Sequence, residues 1–364
     1  MGKEFQLSSI DMMTFLIQAS IGVRLLRLPN VLAEVAANDS WISVILGGLL
    51  ALVLGLTLYW LGLKHPGLNG SEITLKLTGN LIGKCALMLI AINVVGSLGL
   101  SLEVFSSSVK LFLLDKTPVW VITGVMIYLG VNAVTKGLKT IASMVNILLP
   151  QLLFFMVLLL ILPYKRVEPA KLLPLFQTEI VNIGRGALEV LDALYEVTII
   201  SYIMPYFKDP KAVLKWIFPG MFIPIGIYLG IILVSTMVFG SDEITRLLFP
   251  TLTLAKSIEL EESLLERAES LFMIVWVIVT FFMITFSFLV GYLNLKAWFP
   301  KKNRILVYAQ IPFVLLFIAL PQNIAQASML AEYFHYLGRF LMLAGIPVLV
   351  GLTIVRERRE KNAL

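Results

Sequence analysis

Long runs of apolar residues, separated by short polar connections, dominate the chain from end to end. Each of ten runs is long enough to cross a bilayer as an α-helix, for which about 20 apolar residues suffice. The runs lie at about 10–36, 40–63, 82–113, 118–134, 138–163, 183–206, 214–239, 268–294, 304–320 and 333–355. The pattern predicts an all-α polytopic membrane protein with ten transmembrane helices, in which residues 1–364 form a single transmembrane domain.

Two connections carry a pattern of their own. Residues 71–77 follow Pro-Gly and Asn-Gly turn signals, and their sequence predicts a short interfacial helix. Residues 241–267 alternate acidic residues with Leu and Ile, which predicts one or two helices on the membrane surface. This second segment has two possible roles. It could be a passive cover over the helix bundle, or it could be a gating or partner-binding element.

The first apolar run is interrupted near its centre by residues that disfavour a continuous helix. It contains Gly22, Arg24, Arg27 and Pro29. Glycine lowers the barrier to unwinding and proline donates no backbone hydrogen bond, while an arginine at mid-bilayer costs about 2.5–3.5 kcal/mol on insertion scales. The pattern predicts a discontinuous helix, broken at 21–23 and resuming near Arg24. A kinked helix whose arginines face a water-filled interior is the alternative.

The sixth apolar run carries acidic residues that complement these arginines. Glu189, Asp192 and Glu196 are three and then four positions apart, so they share one face of a helix. Inside a membrane that face must contact protein or water, and the arginines of the first run are suitable counter-charges. The first and the sixth of the ten apolar runs both carry unusual charged residues, five runs apart. This spacing predicts two five-helix repeats of inverted topology.

Composition and charge narrow the class of protein. Charged residues make up 14% of the chain and hydrophobic residues 59%, whereas a soluble domain has roughly 25% charged residues. Basic residues are more than twice as frequent in the connections on the side of the N-terminus, which predicts that both termini are cytoplasmic. The net charge of +6 therefore reflects topology and predicts no nucleic-acid partner. One cysteine and two distant histidines give no metal site, and we predict no cofactor and no catalytic set.

Short motifs follow one another along nearly the whole chain. They are Ile21-Gly22-x-x-Leu25-x-x-Leu28-Pro29, Asp39-Ser40-Trp41-Ile42-Ser43, Lys116-Thr117-Pro118, Lys136-Gly137-Leu138-Lys139-Thr140-Ile141-Ala142, Leu173-Pro174-Leu175-Phe176, Phe249-Pro250-Thr251-Leu252-Thr253-Leu254 and Glu266-Arg267-Ala268-Glu269-Ser270-Leu271-Phe272. In this combination the chain resembles spore germination permeases, the B subunits of nutrient-germinant receptors in endospore-forming bacteria. These belong to the amino acid–polyamine–organocation superfamily, so the resemblance implies that helices one and six are unwound around a ligand. It places the second break at 191–194.

The chain departs from the family pattern at three places. The family usually has small or apolar residues where this chain has Arg24 and Arg27. It often has Phe-Gly before the glutamate, where this chain has Leu194-Tyr195-Glu196. The usual arginine after Phe-Pro-Thr-Leu-x-Leu is replaced by Ala255-Lys256. Different charges in the pocket predict a different ligand, so the identity of the nutrient is not carried over.

The resemblance implies a subunit of a germinant receptor in the inner spore membrane, and not an enzyme. Such a subunit would bind a small, amino-acid-like nutrient at the helix breaks and pass a conformational change to a larger membrane subunit and a lipoprotein. A proton-coupled amino acid transporter is the second hypothesis, because Glu189, Asp192 and Glu196 make proton coupling conceivable. A scaffold whose pocket is filled by arginine–carboxylate pairs is the third.

The resemblance also implies which residues surround the ligand. The broken helices and the helices that face them contribute Ser20, Ile21, Gly22, Val23, Arg24, Leu188, Glu189, Leu191, Asp192, Ala193, Asn93, Ser97, Thr280 and Thr285, with Glu103 and Ser287 nearby. Two roles are open for Arg24, which could grip a ligand carboxylate or form an ion pair with Glu189 or Asp192 and leave Arg27 to Glu103. The ion pair is favoured, because the acids need compensation whether or not a ligand is bound.

Overall fold

α-Helices make up nearly all of the computed structural model, which describes residues 6–257, 268–300 and 304–362. The helices are α1 Asp11–Ser20, α2 Leu28–Ala36, α3 Ser40–Lys64, α4 Gly70–Thr78, α5 Asn80–Phe112, α6 Val119–Lys136, α7 Leu138–Ile161, α8 Ile180–Ala193, α9 Ile199–Ile203, α10 Leu214–Phe239, α11 Ser241–Ile244, α12 Pro250–Lys256, α13 Ala268–Trp298, α14 Ile305–Tyr308, α15 Ile311–Ala319 and α16 Ile324–Asn362. Within the described ranges, the one β-type pairing is an isolated bridge between Leu7 and Phe207.

Seven segments of the described chain are long and apolar enough to cross a membrane. They are Leu28–Lys64, Asn80–Leu111, Val119–Lys136, Leu138–Arg166, Leu214–Phe239, Val275–Trp298 and Ile324–Arg359, and Ile305–Ala319 is a shorter apolar helical segment. These segments confirm an all-α, multi-pass membrane protein. The count of ten crossings and the inverted repeat stay predictions.

The first predicted crossing consists of two helices separated by a break. After α1 ends, Ile21 (φ −94°, ψ 106°) and Gly22 (φ −134°, ψ −169°) are extended, and a 3₁₀ turn, Val23–Leu26, precedes α2. The predicted break is confirmed at Ile21 and Gly22. Regular α-helix was expected near Arg24, but it resumes only at Leu28, because Pro29 fits without penalty only in the first turn of a helix.

The sixth predicted crossing is also interrupted, but later than expected. α8 stays helical through 191–193, since the Leu194 N–H still bonds to the Val190 carbonyl at 3.0 Å. The expectation of non-helical backbone at 191–193 is therefore wrong. The backbone changes to the tighter 3₁₀ geometry at Tyr195–Thr198, and the short α9 and a second 3₁₀ turn, Met204–Tyr206, follow.

The surface elements predicted in two connections are present within the described residues. The interfacial helix at 71–77 corresponds to α4, which begins with a capping box between Asn69 and Glu72. Of the segment 241–267, the structure describes α11 and α12, while 258–267 lie outside the described residues.

Side chains from neighbouring elements satisfy backbone carbonyls next to the first break. The Tyr228 hydroxyl of α10 donates to the Ser20 carbonyl at 3.1 Å. The Thr251 hydroxyl of α12 donates to the Leu25 carbonyl at 2.7 Å. Pro250 starts α12, so Thr251 stands in the first turn of that helix. Because buried carbonyls need hydrogen-bond partners, the Phe-Pro-Thr motif stabilises the interrupted first crossing.

The segment before α1 is tied to the end of the sixth crossing. The Leu7 N–H donates to the Tyr206 carbonyl at 2.7 Å, and the Lys208 N–H donates to the Leu7 carbonyl at 3.2 Å. The Leu7 side chain is fully buried. Two backbone hydrogen bonds and one buried anchor therefore connect the two interrupted crossings at this end of the bundle.

A second tie holds the other ends of these crossings. Asp39, which is 1% exposed, lies between α2 and α3. Its carboxylate accepts the backbone N–H groups of Phe176, Gln177 and Thr178 at 2.7, 2.9 and 2.9 Å. The Asp39 carboxylate therefore fixes the connection that leads into α8 against the turn that follows α2.

Candidate functional site

A cavity of about 380 Å³ lies against both interrupted crossings. Residues of the first crossing, α5, the sixth crossing, α13 and α16 line it, among them Gly22, Val23, Arg24, Asn93, Ser97, Asp192, Ala193, Tyr195, Glu196, Ser287, Phe334, His335 and Gly338. Its volume falls in the range of about 300–1,000 Å³ that is usual for small-molecule sites. Among the described residues, no group of three His, Cys, Asp or Glu side chains is placed to hold a metal ion.

Half of the predicted ligand residues line this cavity, namely Gly22, Val23, Arg24, Asn93, Ser97, Asp192 and Ala193. The other half stand outside its lining, namely Ser20, Ile21, Leu188, Glu189, Leu191, Thr280 and Thr285. Thr285 donates to the Phe281 carbonyl of its own helix at 2.8 Å, which is a structural use of its hydroxyl. Ligand contact by any member of the set stays a prediction.

Four charged side chains form a cluster at the cavity, which we call the charge cluster: Arg24, Glu189, Asp192 and Arg339. Arg24 Nη2 lies 3.4 Å from Glu189 Oε2, and its Nη1 lies 3.5 Å from Asp192 Oδ2. Arg339 of α16 donates from Nε to both Asp192 oxygens at 3.1 and 3.2 Å, and from Nη2 to Glu189 Oε1 at 2.8 Å and to Asp192 Oδ2. The predicted ion pair of Arg24 is confirmed, and the charges of the cluster sum to zero.

Sequence reasoning missed Arg339, the residue that makes the most hydrogen bonds in this cluster. Its one sequence signal is a cation inside a largely apolar run, which is unusual in a membrane segment. The pairing expected between Arg27 and Glu103 does not occur. Glu103 instead accepts a hydrogen bond from Ser107, one turn away on α5, at 2.8 Å. Arg27 Nε is buried and has no hydrogen-bond partner among the described residues.

Glu196, the third acid of the sixth crossing, stands apart from the charge cluster. It lines the cavity, and within the described part of the chain its carboxylate makes no ion pair or hydrogen bond. The neighbouring Tyr195 lines the cavity, as does Asn93 of α5. Gly338 of α16 packs closely there, because a Cβ at this position would lie 3.0 Å from Asn93 Nδ2 and 3.2 Å from Tyr195 Cε2.

Comparison with known sequences identifies the family. A family model described as "Spore germination protein" matches residues 6–327. The chain belongs to the spore germination protein family. Spore germination protein YndE of Bacillus subtilis (strain 168) is 23% identical over 348 residues, covering 95% of this chain and 96% of that relative. Spore germination protein A2 of the same organism is 24% identical over 358 residues, with 97% of each chain covered.

Solved structures show which fold this spore germination protein shares. MHP1, a nucleobase-cation-symport-1 family transporter in a closed conformation with bromovinylhydantoin bound, has a TM-score of 0.75 at 16% identity, covering 98% of this chain and 80% of that one. A manganese transporter from Eremococcus coleocola has a TM-score of 0.59 at 14% identity, with 93% and 75% covered. At such low identity the likeness concerns the fold alone, and it confirms the predicted transporter-type architecture.

Proposed function

We propose that this spore germination protein is the membrane subunit of a germinant receptor and that it binds a small, amino-acid-like nutrient at the helix breaks. The observation that carries the proposal is the cavity of about 380 Å³ against both interrupted crossings, in a chain whose relatives are named spore germination proteins. A ligand that prefers one arrangement of the interrupted crossings shifts the population toward it.

In this proposal the ligand contacts the lining residues Gly22, Val23, Arg24, Asn93, Ser97, Asp192 and Ala193. The remaining predicted residues, Ser20, Ile21, Leu188, Glu189, Leu191, Thr280 and Thr285, hold that lining in place. The change at the breaks passes to a larger membrane subunit and a lipoprotein. The chain forms a single transmembrane domain in the inner spore membrane, with both termini cytoplasmic, and it uses neither a cofactor nor nucleic acid.

A proton-coupled amino acid transporter is the second candidate, and one observation favours it. Glu196 lines the cavity without a basic partner among the described residues, and a carboxylate in such a place can take up and release a proton. The likeness to MHP1 concerns the fold alone, so it favours neither candidate. Uptake of the nutrient separates sensing from transport.

Deletion of the gene should abolish or delay spore germination with one class of nutrient, and a plasmid copy should restore it. Uptake of the same labelled nutrient should be equal in the deletion and the restored strain, because a sensor binds without net transport. The assay needs a panel of amino acids, sugars, nucleosides and salts, with germination followed by loss of optical density. Lost uptake with normal germination would support the transporter instead, and no change in either measurement would contradict both candidates.

Gly338→Ala should raise the nutrient concentration for half-maximal germination about tenfold, while the protein remains abundant. The added Cβ would crowd Asn93 and Tyr195, both of which line the cavity, and so alter its shape. Gly351→Ala is the matched control, because it lies on the same helix, is exposed, and its Cβ would meet nothing within 4 Å. Superimposable dose-response curves for the two variants would contradict a binding role for this cavity.

A further inference from the structure

We propose that the ligand carries a protonated amine and that the carboxylate of Glu196 accepts its hydrogen bonds. The inference rests on the proposed function, since it concerns the ligand of the same cavity. It assigns the charged group that the nutrient must present and the residue that selects for it.

The charge cluster leaves no free cation for an anionic ligand. Arg24 and Arg339 are both within 3.5 Å of carboxylate oxygens of Glu189 and Asp192. A ligand carboxylate would therefore meet a cluster whose charges already sum to zero, and the side chain of Asp192 is only 2% exposed. Arg24 also lies in a 3₁₀ turn and not in the first turn of a regular helix, so the anion site expected there is weakened.

Glu196 is the acid on the cavity wall that no basic side chain pairs with, within the part of the chain that the structure describes. Among the lining residues, Arg24 and Asp192 belong to the neutral cluster, and His335 is mostly neutral at pH 7 by its ordinary chemistry. The carboxylate of Glu196 has no ion pair and no hydrogen bond within the described residues. A half-buried carboxylate that lines a cavity is stabilised by a cation that enters the cavity.

Other groups in the cavity lining also suit an ammonium group. Asn93, which is 2% exposed and lines the cavity, has an Oδ1 atom with no hydrogen-bond partner among the described residues. Tyr195 and Phe334 also line the cavity, and aromatic faces attract cations. An ammonium group has three donors and no acceptor, so it can use Glu196 and Asn93 together. A hydroxyl in its place would leave the charge of Glu196 unbalanced.

The ligand side is tested first, with spores whose response is compared with that of the deletion strain. The probes are the L-amino acids, the matched 2-hydroxy acids, the matched amino acid amides, and potassium chloride alone. We expect a response to an amino acid or its amide, and at least about a tenfold higher requirement for the matched hydroxy acid. If the amide also triggers germination, the amine is sufficient for recognition. If only the amino acid does, the protein recognises the carboxylate as well as the amine. An equal response to the hydroxy acid, or to potassium chloride alone, would overturn the inference and leave the proposed receptor function standing. The absence of a response to any nutrient class would overturn the proposed function itself.

The protein side is tested with Glu196→Gln, which keeps the shape and removes the charge. Losing a hydrogen bond to a charged group should raise the half-maximal amine concentration about 10- to 100-fold at unchanged protein abundance. Glu103→Gln is the control, because Glu103 is a second glutamate at membrane depth that does not line the cavity and bonds to Ser107. A wild-type response from abundant Glu196→Gln protein would overturn the inference. If that variant fails to accumulate, the amine and hydroxy acid comparison in the wild type decides.

Discussion

Replacing Arg339 with alanine should remove most of the folded protein from the membrane. The substitution deletes the bidentate contact with Asp192 and the 2.8 Å contact with Glu189, and it leaves Arg24 alone opposite two acids. Breaking a buried ion pair by removing one partner typically costs about 3–5 kcal/mol, which is a large part of the usual 5–15 kcal/mol of stability. Membrane-fraction abundance and the temperature of heat-induced aggregation measure the loss.

Neutralising the stranded acid should recover the protein, so Arg339→Ala combined with Asp192→Asn should be more abundant than Arg339→Ala. Arg24→Ala should be milder, because its contacts are longer, at 3.4 and 3.5 Å, and its side chain is more exposed, at 23% against 15%. The exposed Arg185 offers the matched control, and its alanine variant should behave as wild type. Equal abundance of the Arg339 and Arg185 variants would show that the cluster does not stabilise the fold.

Replacing Asp39 with alanine should have a destabilising effect of similar size. Its buried carboxylate accepts three consecutive backbone N–H groups, those of Phe176, Gln177 and Thr178, and hydrogen bonds to a charged group contribute about 1.5–3 kcal/mol each. Without it these donors lose their partner, and the connection into α8 is no longer fixed. We expect a loss of about 3–4 kcal/mol, measured as a lower aggregation temperature of the purified protein.

Two variants sharpen this second prediction. Asp39→Asn keeps one side-chain oxygen as an acceptor, so it should fall between wild type and Asp39→Ala. Glu179 is a nearby, exposed acid whose side chain makes no capping bond to α8, so Glu179→Ala should leave the aggregation temperature unchanged. Identical melting of Asp39→Ala and wild type would refute the role assigned to this carboxylate.

The first break was predictable and the exact second one was not, for a local reason. Gly22 and Pro29 act on the backbone conformation directly, so the sequence next to the break is enough to predict their effect. The residues around Leu194 include no glycine or proline, and each of them is compatible with an α-helix. The change to 3₁₀ geometry at Tyr195 therefore depends on packing against other elements, and the predicted break begins four residues too early.

The charge cluster was half predictable for a different reason. Acids and bases inside apolar runs must find partners, so an ion pair between the first and sixth runs followed from the composition of those runs. Which base pairs with which acid depends on the path of the chain, and Arg339 is 147 positions away from Asp192. The acids of the sixth crossing had several candidate bases, and a local pattern gave no means of choosing among them.

The link between Leu7 and Phe207 has a mechanical consequence. It joins the start of the first crossing to the end of the sixth, so α1 and α9 are tied to each other on one side of the interruptions that follow Gly22 and Leu194. A tilt of α1 relative to the rest of the bundle would require α9 to tilt with it. Otherwise the two backbone hydrogen bonds of Leu7 would have to break. A shift of α1 or α9 at the cavity would therefore be transmitted to the segment at residues 206–208, where the two helices are tied together.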